Sequence, residues 1–375
     1  MTDHDQAEYD HEVAAWLRRQ DPPLGADRVA RQVIAQLSPS PRTTLRSFLT
    51  MAATAAMVVA VALVGGQILS GLRGPIAPTP RPPGTDLSRL PVGTVTIDSP
   101  GYSGDMVGSE DAIWFQAGSR FWTRIDPASN TVQETIGPGW DATLDADGRL
   151  WVLSQPTLSM RAAPLVEIDP RSGARLRTIE GVSGVHLAID GTTAWVTDGA
   201  TLFHVDLAAG VVTSSTSISV GPVAAIVAYD GAVYLGGDGG VVRIDASRNG
   251  DSVTLATVQG EPLYVSDLAV GAGSIWAQVR TSGAVLRLKP DDLAIQATIG
   301  IGTTNLVYGR IVFSGGWLWS AAPGGIVKIV PATNTIGQTI RLPWGKYPGI
   351  VERDGELWVS LQDEMQVLRF PVSGG

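Results

Sequence analysis

The sequence predicts an all-β fold over most of its 375 residues: a seven-bladed β-propeller of four-stranded antiparallel blades, with the last blade closed by the N-terminal strand. The first observation behind this is a large aromatic residue recurring at Trp114, Trp151, Trp195, Tyr234, Trp276, Trp319 and Trp358. The intervals are 37, 44, 39, 42, 43 and 39 residues, the length of one four-stranded blade. The second is a turn phrase, Asp126-Pro127-Ala128-Ser129-Asn130, which returns as Asp169-Pro170-Arg171-Ser172-Gly173 and, without the Asp, as Val330-Pro331-Ala332-Thr333-Asn334. The third is a pair of complementary ends. The last repeat supplies strands at Leu357–Leu361 and Val367–Phe370 and then stops, while an orphan strand, Gly93–Asp98, precedes the first repeat. Pairing the two completes a blade and removes open sheet edges.

Short α-helices and one transmembrane helix are expected before the propeller. In residues 1–46, Tyr9, Val13, Trp16 and Leu17 form an apolar helical stripe that Asp21-Pro22-Pro23 ends. Ala26, Val29, Ala30, Val33 and Leu37 mark a second helix, ended by Ser38-Pro39-Ser40-Pro41. Two such helices bury little surface, so the segment is either a solvated tail with helical tendency or is completed by a partner. Residues 47–72 carry no charge, which is long enough to span a hydrocarbon core. A signal peptide is excluded by the 46 polar residues ahead of it. Arg28, Arg31, Arg42 and Arg46 before the span outnumber Arg73, Arg81 and Arg89 after it, which points the N-terminus into the cytoplasm and the C-terminal domain outward. Residues 73–91 are a Pro-rich stalk and 92–375 the propeller.

Within each repeat the strands are punctuated by turn chemistry. Asp-Gly pairs at 147–148, 190–191, 230–231 and 354–355 signal tight hairpins between the first two strands. In the Asp-Pro phrase the Asp side chain caps the turn, Pro presets φ, and Asn or Gly takes the left-handed conformation. In the second repeat the strands are expected at 142–146, 149–153, 165–169 and 175–179. The recurrent aromatics are expected to pack between neighbouring sheets as core.

Composition narrows the function. A net charge of −9 without a basic cluster argues against a nucleic-acid partner. The absence of cysteine excludes disulfides, thiolate metal sites and Cys nucleophiles. No Gly-x-Ser-x-Gly, His-Glu-x-x-His or phosphate-binding Gly loop is present, so no catalytic or metal-ligating set is assigned and no cofactor is identified.

The Gly-x-apolar-Trp strand, the Ile-Asp-Pro turn and the Thr-Ile closing strand together resemble the streptogramin lyase-like (virginiamycin B lyase-like) seven-bladed propellers, over residues 92–375. The membrane-proximal residues 9–37 and the span resemble the cytoplasmic segments of membrane-bound anti-sigma-type proteins, without the His/Cys zinc motif that many of them carry. The first resemblance implies a lyase with a metal held by acidic and His groups and a further His as base at the channel mouth. The second implies a sigma factor-like cytoplasmic partner for residues 1–46. His186 and His204 fall in one repeat and no other repeat has a His, which departs from the lyase pattern. His186 is read as a hydrogen-bonded residue inside the ring, and His204 as an outward polar site equivalent to Arg124, Glu167 and Arg243.

Aligning the repeats on their aromatics brings Asp105, Asp141, His186, Asp267 and Arg310 to the channel mouth, with Lys346 and Tyr347 just before it. Gly104, Gly184, Ala224 and Gly349 are expected to keep the opening clear. Convergent carboxylates of this kind suit a cation or a polar ligand, and their mutual repulsion should raise at least one pKa. The function expected is non-enzymatic binding or sensing by a membrane-anchored extracytoplasmic domain, of a ligand or of a protein or cell-wall partner. The alternative is an enzyme at the channel mouth.

Overall fold

The computed structural model describes residues 90–375 apart from 102, 110, 119, 155–162, 219–221, 246–252, 257–262, 303–309, 323, 343–348, 363 and 373–375. These residues belong to the unit Pro78–Gly375. The expected helices and membrane span, and all but the end of the stalk, lie outside the described residues. Among the described residues no helix is long and apolar enough to cross a membrane.

The described elements are strands. β1 (Val95–Asp98) is followed by β2 (Ser103–Gly108), β3 (Ile113–Ala117), β4 (Phe121–Asp126), β5 (Thr131–Leu144), β6 (Leu150–Ser154), β7 (Leu165–Ile168) and β8 (Arg175–Ile179). β2 to β8 form one seven-stranded sheet. In it β5 works twice, pairing with β4 up to Pro138 and with β6 from Gly139 onward. The second repeat's first strand is therefore part of a longer strand than expected, which runs on through Gly137-Pro138-Gly139 and changes partner there.

Four-stranded antiparallel sheets follow. The first holds β9 (His186–Asp190), β10 (Thr193–Thr197), β11 (Thr201–Asp206) and β12 (Val211–Ser217). The next holds β13 (Val223–Tyr229), β14 (Ala232–Gly237), β15 (Gly240–Asp245) and β16 (Val253–Ala256). Then come β17 (Val265–Gly271), β18 (Ser274–Val279), β19 (Ala284–Leu288) and β20 (Ile295–Gly300). They are followed by β21 (Ile311–Ser314), β22 (Trp317–Ala322), β23 (Gly325–Val330) and β24 (Thr335–Arg341). The final sheet has β25 (Ile350–Arg353), β26 (Glu356–Leu361) and β27 (Gln366–Pro371), and β1 completes it. Val95 stands opposite Arg369 and Asp98 opposite Gln366, so the two chain ends share one sheet. The first strands touch in the order β2, β5, β9, β13, β17, β21, β25 and back to β2, which closes a ring.

The turns behave as their chemistry requires. Asp230-Gly231 and Asp354-Gly355 have positive φ at both positions, the conformation that matches strand twist in a tight hairpin. Asp126 Oδ1 accepts from Ala128 N at 2.8 Å and Asp169 Oδ1 from Arg171 N at 2.8 Å, while Asn130, Gly173 and Asn334 take the left-handed conformation.

The recurrent aromatics lie between sheets. Trp276 packs with Ala269 and Val285 of its own sheet and with Ile311, Leu318 and Val327 of the next. Trp358 meets Ile113, Phe115 and Ile125 across the seam where the chain ends join. Each such burial contributes roughly 1.5–3 kcal/mol. Directly across from the aromatic, on the third strand, stands a long polar side chain: Arg124 opposite Trp114, Arg287 opposite Trp276, Lys328 opposite Trp319, Arg369 opposite Trp358. Arg287 and Arg369 stack on their Trp rings and reach the following sheet, donating to the carbonyls of Pro331 (2.7 Å) and Pro127. Arg124 likewise donates to Pro170 O (3.1 Å), and the Tyr234 hydroxyl to Pro290 O (3.1 Å). The Pro of the turn phrase thus has a second use beyond presetting φ. Its carbonyl is the catch for the preceding sheet.

His204 occupies this same position opposite Trp195. The two rings stack at 4.4 Å and 10°, and burial lowers the His204 pKa. It is a packing partner rather than simply an outward polar group.

Candidate functional site: the polar ring around the central cavity

The first strands surround a cavity of about 780 Å³ lined by Asp105, Asp141, His186, Asp267 and Arg310, together with Gln116, Arg120, Trp140 and Glu352. The strands aim the acidic groups inward through irregularities in pairing. Register shifts fall between Ser103 and Met106, between Gly139 and Ala142, and between Val265 and Asp267. A bulge at such a place turns a side chain out of strict alternation. Asp105 and Asp141 sit inside these shifts and Asp267 at the edge of one.

Arg310 is the hub. Its guanidinium pairs with Asp105 and, at 3.3 Å, with Asp267, and its side chain keeps 37% exposure. Asp267 is 6% exposed and Asp105 18%. The second Asp267 oxygen accepts from Ile311 N at 2.8 Å, on the neighbouring sheet. Asp141 makes the equivalent bond to Leu187 N at 2.8 Å, and its other oxygen accepts from Ala142 N at 2.8 Å. His186 Nε2 lies 3.0 Å from Val223 O, again one sheet onward. Inward side chains therefore lace successive first strands together.

Burial dominates the electrostatics. It pushes Asp141 up to about 7, helped by the charge of Asp105 and opposed by Arg310. Burial likewise pushes Asp267 up to about 6 against the pull of Arg310. Asp105 is raised by burial, with Arg310 opposing. For Arg310 itself burial works against the charge, but Asp105, Asp267 and Asp141 outweigh it and hold the guanidinium protonated. His186 is pushed down to about 4 by burial, so its imidazole is neutral at pH 7.

The structure thus gathers Asp105, Asp141, His186, Asp267 and Arg310 around one cavity. Lys346 and Tyr347 lie outside the described residues. Among the described residues, no three His, Cys, Asp or Glu side chains are grouped to hold a metal ion. Arg310 instead supplies the positive charge among the carboxylates. The expectation that small residues keep the opening clear is corrected in part. A Cβ on Gly104 would meet the Gln116 side chain at 2.8 Å, one on Gly184 the Thr197 carbonyl at 2.7 Å, and one on Gly349 the Gly104 carbonyl at 2.7 Å. These glycines permit close contact between strands, not passage. Arg120 and Trp140 are not marked by the repeat, because a residue in a hairpin turn and one in a strand crossover share no register with it, whereas Gln116 keeps the register of β3 and carries no distinguishing signal in the sequence.

These closed, face-packed, four-stranded sheets define a β-propeller, and comparison with known proteins agrees on the fold. No family model matches the chain, and no curated protein does either. Among solved structures, one reported as the mitotic checkpoint complex is similar at 13% identity and TM-score 0.62, over 78% of this chain and 95% of that one. The RRP9 WD40 repeats are similar at 12% identity and TM-score 0.63, over 76% and 99%. BamB from Moraxella catarrhalis is similar at 12% identity and TM-score 0.51, over 76% and 98%.

Proposed function

We propose that this protein is a seven-bladed propeller held outside a cell membrane by residues 47–72, and that it binds a small polar ligand in its central cavity without transforming it. Splitting β5 at Gly139 divides the seven-stranded sheet into two blades, which gives seven together with the five other sheets. The observation that carries the binding reading is the way the polar ring is held. Asp141, His186 and Asp267 each bond to the backbone of the next sheet, so these three side chains are held in place before any ligand arrives. Preorganised polar groups around a concave volume favour recognition. The propeller neighbours support an interaction role in general terms, and a protein or cell-wall partner would use the loop surfaces around the cavity. Residues 1–46 would then carry the signal to a cytoplasmic, sigma factor-like partner.

The test is calorimetric titration of the purified protein with a panel of small polar metabolites, with each ligand recovered afterwards. The expected result is saturable binding, lost in Arg310→Gln, and recovery of the ligand unchanged. Loss of ligand mass or appearance of product would favour an enzyme. That second reading has one observation behind it: Asp141 at about 7 suits proton transfer near neutrality. Against it, both Asp141 oxygens already accept backbone N–H groups. A lyase of the streptogramin type has even less support, since His186 at about 4 is a poor base and His204 is stacked on Trp195. Topology is tested by protease on intact cells, which should cut the stalk and spare an epitope within residues 1–40.

A further inference from the structure

Arg120 and Trp140 form a pair unlike the cation–aromatic pairs of the outer sheets. The Arg120 guanidinium carbon lies 3.3 Å from the Trp140 ring centroid, and both residues line the central cavity. Arg287 and Arg369, by contrast, stack on Trp rings enclosed between sheets and also donate to carbonyl oxygens. Arg120 Nη1 is shielded from solvent and has no hydrogen-bond acceptor among the described residues, and the same holds for Trp140 Nε1. Trp114, Trp122 and Trp319 also bury an indole N–H without an acceptor among the described residues, but those rings are enclosed in the core. Burial lowers the Arg120 pKa, and no carboxylate among the described residues offsets it. Leaving donors unmet in this way is costly, most of all on a charged group.

The corner is also fixed. Gln116 Nε2 donates to Gly139 O and Trp140 O, both at 3.1 Å, and Gly139 N donates to Arg120 O at 2.9 Å. Arg120 itself has φ +67°, the left-handed conformation that glycine or asparagine holds more easily. A strained backbone therefore places a guanidinium, with no ion-pair partner among the described residues, at the edge of the cavity.

We infer that Arg120 and Trp140 form a subsite for the carboxylate of a small organic acid. The hydrogen bonds fix the backbone of the corner, so a shift of the Arg120 side chain alone opens the shielded Nη1–H and the Trp140 Nε1–H to donate to the carboxylate oxygens. A monoanion is favoured over a dianion such as phosphate, because Asp105, Asp141, Asp267 and Glu352 line the same cavity. The inference deepens the ligand-binding reading of the cavity and rests on it.

The experiment uses the full-length protein labelled with 5-fluorotryptophan, whose 11 signals allow Trp140 to be assigned through Trp140→Phe. Acetate and benzoate are titrated, with inorganic phosphate as a control. The Trp140 signal should shift saturably with either carboxylate, and the apparent affinity should fall about tenfold or more in Arg120→Gln and recover in part in Arg120→Lys. Absence of a saturable shift, an unchanged affinity in Arg120→Gln, or an equal response to phosphate overturns the subsite. If a metabolite from the calorimetric panel still binds in an Arg310-dependent way while Trp140 stays silent to carboxylates, the subsite fails and the cavity reading stands.

Discussion

The belt of aromatics between the sheets and the ring of first strands around the cavity come from the same repeat, but they are populated differently. In the belt one solution is used again and again: Trp or Tyr on the second strand, often a cation across from it, and a proline carbonyl on the next sheet as its catch. In the ring, the position nine residues before the aromatic is Asp105, His186, Ala225, Asp267, Arg310 and Gly349 in different repeats, with Ala142 beside Asp141 in the second. Every gap between sheets poses a similar packing problem, so a large aromatic fills each one, and in four of them a proline carbonyl on the next sheet adds the catch. The cavity is shared, so each sheet contributes a different group to a common constellation. Repetition marks stability here, and departure from it marks the ring to which the proposed function assigns ligand binding.

The largest effect should come from breaking the ring itself. Deleting residues 92–99 removes β1 and exposes the edge of β27, so cooperative unfolding should be lost and aggregation should rise, as read by light scattering and denaturant melts. A truncation that stays monomeric and melts as before would overturn the closure. Next is the belt. Trp276→Ala should cost about 3–5 kcal/mol in denaturant unfolding, because the cavity it leaves opens between two sheets. Arg369→Met keeps much of the packing but removes the donors to Pro127, Asn130 and Glu356, and should cost about 1–3 kcal/mol. An Arg369→Met variant as stable as the parent would show that the catches only follow the packing.

A pH-dependent effect sharpens the contrast at the ring. Asp141 is raised from its ordinary 3.8 to about 7 in the folded protein. A carboxyl raised in this way contributes stability that is fully present below its unfolded value and is lost as pH climbs through the folded value. Asp267, raised to about 6, acts in the same direction over a narrower window. Stability should therefore decline between about pH 4 and pH 7, and Asp141→Asn should flatten that decline while losing one backbone bond. Parallel denaturant midpoints at the two ends of this range check it. Equal slopes for parent and variant would mean that Asp141 titrates as an ordinary surface group.

The sequence by itself determined the repeat, the turns, the strand that joins the chain ends and the aromatic core, because each rests on local chemistry or on a period. Asp126 caps its own turn, Asn130 and Gly173 accept positive φ locally, and Trp114 to Trp358 recur at blade spacing. The convergence of Asp105, Asp141, Asp267 and Arg310 was legible from register alone. Only the tertiary structure decided what those groups spend themselves on: Asp141 on Leu187 N, Asp267 on Ile311 N, and Arg310 on Asp105. It alone revealed the catch from Arg369 to Pro127, 242 residues apart, and the pairing of Arg120 with Trp140 across a hairpin turn and a strand crossover. The physical reason is that hydrogen bonds between sheets depend on bulges and on the closure of the ring. Neither leaves a periodic mark in the chain.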